Sequence, residues 1–154
     1  MQYLVPLDGS DLAEQALPYA RERAALNDGS ILLVRVVTVA RQLAAASMTG
    51  AGGIDAMPIS MEAINAAIDL EQKESLEYLA LKGEEIRKAG LKVEWEVRQG
   101  IPADEIIASA RAHNIDVIVI TTHGRSGLGR VVFGSVADRI IRQSGIPVLV
   151  IGPK

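Results

Sequence analysis

Residues 121–136, reading Thr-Thr-His-Gly-Arg-Ser-Gly-Leu-Gly-Arg-Val-Val-Phe-Gly-Ser-Val, gather the residue types that hold an anion. Gly124, Gly127 and Gly129 let main-chain N–H groups turn inward with no Cβ in the way. Gly134 and Ser135 then open a helix, whose unpaired first-turn N–H groups and positive dipole end favour negative charge. Arg125 can neutralise a phosphate or simply solvate the loop, and solvation is the reading for Arg130. Ser135 serves equally well as a helix N-cap or as a phosphate contact, and the two roles can coexist.

A second candidate segment is Pro6-Leu7-Asp8-Gly9-Ser10. Asp8 follows an apolar run and precedes a helical pattern. Its carboxylate could accept a hydrogen bond from a sugar hydroxyl or a base amine, or help hold a metal; capping its own turn stands level with these. His123 has only His113 for company and no nucleophile beside it, so a structural or ligand-orienting imidazole is favoured over a general base. No spacing of His, Cys and carboxylate residues supports a metal cluster. The chain has no Gly-x-x-x-x-Gly-Lys-Ser/Thr loop, and no Gly-x-Gly-x-x-Gly follows the first apolar run, which sets aside P-loop hydrolases and dinucleotide dehydrogenases.

Five β-branched runs must position these segments: 3–7, 31–37, 91–97, 115–121 and 147–151. Ile31 to Val34 and Val117 to Ile120 are apolar at consecutive positions, as in parallel strands covered on both faces. In the third run Val93, Trp95 and Val97 alternate with Glu94, Glu96 and Arg98, which predicts an edge strand with one wet face.

Helical patterns lie between the runs. The first starts at Ser10 as N-cap, packs Leu12, Ala16, Ala20 and Ala24, and ends at Asn27-Asp28-Gly29. The longest spans about 60–89, with Leu76, Leu79, Gly83 and Ile86 on one face and Gly90 as its stop. A third begins at Pro102, with Ile106, Ile107 and Ala110 inward. The last follows Gly134, with Val136, Ile140 and Ile141 inward. Between them, 40–58 has little periodicity and three glycines, and reads as a flexible insertion.

Strict alternation of strand and helix predicts an α/β fold, a doubly wound parallel sheet with helices on both faces. Right-handed crossovers then put all strand carboxyl ends on one rim, and ligands bind where the winding reverses. If the first and fourth strands are neighbours there, Asp8 and the glycine loop face one crevice.

The 154 residues, 49% apolar, fit one domain, 1–154. A net charge of −3 argues against broad nucleic-acid or anionic-membrane binding. With no cysteine, disulfides, thiolate nucleophiles and zinc-thiolate sites are excluded, and no apolar run reaches the ~20 residues that span a bilayer. The opening Met1-Gln2-Tyr3-Leu4-Val5-Pro6 does not read as a signal peptide, so the cytoplasm is the expected compartment.

From Val5-Pro6-Leu7-Asp8-Gly9-Ser10 to Gly145-Ile146-Pro147-Val148-Leu149-Val150-Ile151 the chain resembles the universal stress protein family. Thr122-His123-Gly124-Arg125-Ser126-Gly127-Leu128, with nine residues between Gly124 and Gly134-Ser135-Val136, is close to that family's nucleotide-binding signature Gly-x2-Gly-x9-Gly-Ser/Thr. Thr121 holds the place of the first signature glycine.

The resemblance implies a Rossmann-like, adenine nucleotide alpha hydrolase-like sheet of strand order 3-2-1-4-5. It implies a site for ATP, or AMP or ADP, with or without magnesium. Asp8 and the main chain of Val36 would meet adenine and ribose, with Pro6 and Leu7 lining the pocket. Gly124, Arg125, Gly134, Ser135 and Val136 would meet the phosphates, with Thr121, His123 and Gly127 in the same loop. It further implies a homodimer through the last strand and a stress-response sensor or interaction module; with no evident catalytic base, Walker lysine or arginine-finger arrangement in the sequence, ATP hydrolysis is expected to be slow at most, and with the acidic charge no nucleic-acid or membrane partner is expected. A slow ATPase or a nucleotide-independent dimeric adaptor are the alternatives.

Overall fold

A computed structural model describes residues 1–48, 59–122 and 134–154. Five parallel strands, β1 (Gln2–Pro6), β2 (Ser30–Val37), β3 (Lys92–Gln99), β4 (Val117–Thr121) and β5 (Val148–Ile151), form one sheet in the order β3-β2-β1-β4-β5. The connections carry α1 (Asp11–Glu14), α2 (Ala16–Leu26), α3 (Val39–Met48), α4 (Met61–Lys88), α5 (Pro102–Ala112) and α6 (Ser135–Gln143). The winding reverses between β1 and β4, which pair at Tyr3 with Val117 and Leu4 with Ile118. The five-stranded doubly wound sheet and its strand order are as expected from the sequence.

Alternating side chains of β1, β2, β4 and β5 feed two cores, and β3 feeds one of them. Tyr3, Val5, Ile31, Leu33 and Val93 pack with Ala16, Ala20, Ala24, Leu79 and Ile86 on one face. Leu4, Leu32, Val34, Ile118 and Ile120 pack with Ile106, Ile107, Ala110 and Ile140 on the other. Helices α2 and α4 thus cover one face, and α5 and α6 the opposite one.

The helix starting at Ser10 is interrupted. Ser10 caps it as expected, accepting the Ala13 N–H at 3.1 Å, but the chain breaks at Gln15 between α1 and α2. Pro18 is the cause: it has no N–H for the Glu14 carbonyl, and its ring crowds that oxygen. Gln15 N–H turns back to Leu12 O at 3.1 Å instead.

Other expectations also need correction. Helix α3 occupies the first part of the span read as an unstructured insertion, while 49–58 lie outside the described residues. Leu76 is exposed rather than inward, and so are Val136 and Ile141. In α4 the inward stripe runs instead through Ser75, Leu79, Gly83 and Ile86, spaced four, four and three. The outer face of β3 is not simply wet: Glu96 accepts the hydroxyl of buried Ser109 on α5 at 2.5 Å, and Arg98 Nε donates to Glu105 at 2.8 Å.

Candidate functional site

At the carboxyl ends of β1, β2 and β4 a cavity of about 340 Å³ opens on the rim. Its size falls in the range of small-molecule sites. Pro6, Leu7, Val34, Val36, Ile106 and Ile120 supply apolar walls, while Asp8, Arg35, Thr38 and Glu71 supply polar ones. Opposite them stand Thr121 at the end of β4 and Gly134, Ser135 and Val136 at the start of α6.

Leu7 extends the β1–β2 ladder by one bond, its N–H donating to Val34 O at 2.8 Å, and there the chain leaves the sheet. Asp8 then builds the turn: its Oδ1 accepts the Ser10 N–H at 2.9 Å and the Ser10 hydroxyl at 2.6 Å. Both readings of this residue therefore meet in one place, because the capping carboxylate also lines the cavity and keeps Oδ2 clear of Ser10. Burial raises the Asp8 carboxyl, but the bonds from the Ser10 hydroxyl and main chain, the Asp8 amide and the Arg35 charge outweigh it and hold the group below its ordinary value. It stands ionised at neutral pH.

On the far wall Gly134, not Ser135, occupies the N-cap position, extended at φ −60° and ψ 158°. Ser135 is the first helical residue. Glycine offers no side-chain acceptor, so no side-chain cap bond covers the α6 start, and its first-turn N–H groups keep the capacity to bind an anion. Exposure of Val136 has the same origin, since that residue forms part of the cavity mouth.

Of the residues singled out in the sequence, Pro6, Leu7, Asp8, Val36, Thr121, Gly134, Ser135 and Val136 line this one cavity. His123, Gly124, Arg125 and Gly127 lie outside the described residues. The residues found beside the segments' own reach are Arg35, Thr38 and Glu71. Arg35 was legible only as a charge breaking an apolar strand, and Glu71 only as one acid among many on α4. Among the described residues no group of three or more His, Asp or Glu gathers to hold a metal, and no helix is long and apolar enough to cross a membrane.

The rim fits an adenine nucleotide in kind. The apolar walls suit a flat base, the ionised Asp8 an alcohol or amine donor, and the α6 N-terminus a phosphate.

Known proteins resemble this chain over nearly its whole length. The model of the universal stress protein family matches residues 1–152. Universal stress protein MJ0531 of Methanocaldococcus jannaschii is 33% identical over 148 residues, covering 96% of this chain and 79% of that protein. The solved structure of protein MJ0577, a universal stress protein of the same organism, superposes with a TM-score of 0.76 at 25% identity, covering 99% of this chain and 96% of that one. The structure of the universal stress protein from Archaeoglobus fulgidus in complex with dAMP gives a TM-score of 0.63 at 27% identity, with 98% and 97% covered. The chain belongs to the universal stress protein family.

Proposed function

We propose that residues 1–154 act as one adenine-nucleotide-binding domain, a cytoplasmic nucleotide-dependent sensor or interaction module of the stress response. One observation carries this reading. At the β1–β4 switch point an ionised carboxylate, Asp8, and an uncapped helix N-terminus, at Gly134, border the same apolar cavity. Adenine and ribose lie at Asp8 and the main chain of Val36, over Pro6 and Leu7. The 5′-phosphates lie at Gly134, Ser135 and Val136, with Thr121 nearby, and the family signature adds Gly124 and Arg125 as phosphate contacts together with His123 and Gly127 of the same sequence segment. The dAMP complex of the Archaeoglobus fulgidus relative supports the ligand class.

Binding rather than turnover is the role. No Walker lysine is present, and the carboxylate in the first turn of α6, Asp138, is held by Arg142 Nε at 2.9 Å, which supports hydrolysis that is slow at most. Isothermal titration with ATP, ADP and AMP, with and without magnesium, tests the reading. Heat saturating at one nucleotide per chain supports it, and no heat with any of the three defeats it. ATP turnover abolished by Asp8→Ala would make the protein an ATPase.

The homodimer belongs to the same proposal. Strand β5 ends the sheet, with Val148, Leu149 and Val150 only half-buried, and such an edge invites pairing. Sedimentation at micromolar concentration distinguishes a dimer from a monomer.

A further inference from the structure

Arg35 is a half-buried guanidinium that lines the cavity; its charge acts on Asp8, but among the described residues no carboxylate forms an ion pair with it. Its recorded contact is the ring of Tyr78, with Cζ 5.1 Å from the centroid; among the described residues it makes no hydrogen bond or ion pair. Five N–H donors in a flat fork are thus left beside a ligand site.

The support beneath Arg35 is rigid. Tyr78 donates its hydroxyl to Glu14 Oε1 at 2.8 Å, and Lys82 Nζ holds Glu14 Oε2 at 2.6 Å. These bonds fix the ring from α4 against α1, and the ring fixes one face of the guanidinium. Gly9 is also close, at φ +87°, where a Cβ would sit 3.3 Å from Arg35 Nη1. The fork is therefore held in place at the turn that carries Asp8.

Strand alternation separates this cation from the α6 N-terminus. Ile31 and Leu33 face the α2 and α4 side, so Arg35 does too, whereas Val36 joins the opposite core with α5 and α6. Arg35 on β2 also stands two strand spacings from β4, about 10 Å across the rim. The two places are offered from different strands and opposite sheet faces, so each can take a phosphate group of its own. A guanidinium fork matches two oxygens of a phosphoryl group, and in dinucleotide-binding sheets, a different class, an arginine near the ribose is what accommodates a phosphate on the sugar in place of a bare hydroxyl.

We propose that Arg35 binds a second phosphoryl group, carried on the 2′ or 3′ oxygen of an adenine nucleotide whose 5′-phosphate lies at the start of α6. The inference rests on the adenine-nucleotide reading above and specifies the ligand further. Asp8 is then the residue that sets its limit, since its charge opposes an anion and its Oδ1 is already taken by Ser10.

Titration of the full chain with AMP, adenosine 2′,5′-bisphosphate and adenosine 3′,5′-bisphosphate tests this, and the two bisphosphates separate the two positions. One bisphosphate should bind about 10-fold more tightly than AMP, the scale of a charge-assisted bond. Arg35→Met, which keeps an apolar stem over Tyr78, should bring that ratio to about one, and Arg35→Lys should give an intermediate ratio. Circular dichroism checks that both variants fold. Equal affinity for all three nucleotides in the parent chain overturns the inference and leaves the adenine reading intact. A ratio unchanged in both variants overturns it as well. No binding of any of the three defeats both.

Discussion

Glu71 accepts the main-chain N–H of Val39 at 2.8 Å, across 32 positions of the chain. Its other carboxylate oxygen accepts the Thr38 N–H at 3.2 Å. A residue of α4 thus caps the N-terminus of α3, doing remotely what a local Ser or Asp does elsewhere. Thr38 and Val36 line the cavity, so the same contact fixes the end of β2 that the nucleotide is proposed to meet.

Glu71→Ala leaves both amides without a protein acceptor. Stability should fall by about 1–2 kcal/mol, the usual worth of an N-cap. The single tryptophan, Trp95, reports this in urea unfolding, and AMP affinity should weaken with it. Glu71→Gln retains one acceptor oxygen and should lie between. An unchanged urea midpoint would mean that water serves the two amides as well as Glu71 does.

Asp8 carries two roles that one pair of substitutions separates. Asp8→Asn keeps an oxygen for the Ser10 bonds, so the turn should stay intact while nucleotide affinity drops about 10-fold through loss of the charge-assisted bond. Asp8→Ala removes turn and charge together and should also lower the thermal midpoint. Equal affinity of Asp8→Asn and the parent in calorimetry would show that the Asp8 charge takes no part in binding.

Gly134→Val puts a branched side chain where the cavity meets the α6 start. Valine is a poor N-cap, at a cost of about 1 kcal/mol, and its bulk crowds the anion position. Nucleotide affinity should fall more than stability does, with a native circular dichroism spectrum. Retained AMP affinity would place the phosphate elsewhere.

Glu96 makes stability depend on acid pH. Burial raises its carboxyl, but hydrogen bonds from Ser109 and His113 and the charges of His113 and Arg98 outweigh that and hold it below the ordinary 4.5. A group lowered on folding stabilises fully above its unfolded value and loses that contribution as pH falls through the folded one. Stability should therefore decline from about pH 4.5 downward, and Glu96→Gln should flatten that part of the curve. Parallel pH curves for the two proteins in urea unfolding would remove Glu96 as the source.

Gly83 lets α4 lie against Trp95. A Cβ there would clash with Cε3 and Cζ3 of the indole, so the ring or α4 would have to shift. Gly83→Ala would gain up to about 1 kcal/mol of helix propensity. Overpacking costs about 1–3 kcal/mol and should outweigh it, with a shift in Trp95 emission as the ring moves. A more stable variant would show that β3 yields easily at the sheet edge.

The alternation of apolar runs with helical stripes, the Ser10 cap, the Pro102 start and the Gly90 stop were all legible along the chain, because each depends on neighbours within one or two turns. The reversal of winding was not legible in the same way, because right-handed crossovers also allow a sheet wound in one direction; the order β3-β2-β1-β4-β5 was expected only from the family resemblance. The two rim segments could be named before any coordinate, since strand ends followed by Asp-Gly-Ser or Gly-Ser carry their chemistry locally.

Tertiary structure alone decided what depends on residues far apart. Gly134 rather than Ser135 holds the cap position because the backbone angles, not the residue type, set where α6 begins. Leu76 faces out because α4 meets the sheet along the stripe fixed by Gly83 and Trp95. Glu71 reaches the cavity, and Tyr78 reaches Arg35, only because α4 folds back over β2, and a charge on one strand has no sequence signal for the ring on which it rests. Short-range preference shaped the elements of this protein; the choice of which charges stay paired, and which are left for a ligand, came from packing them together.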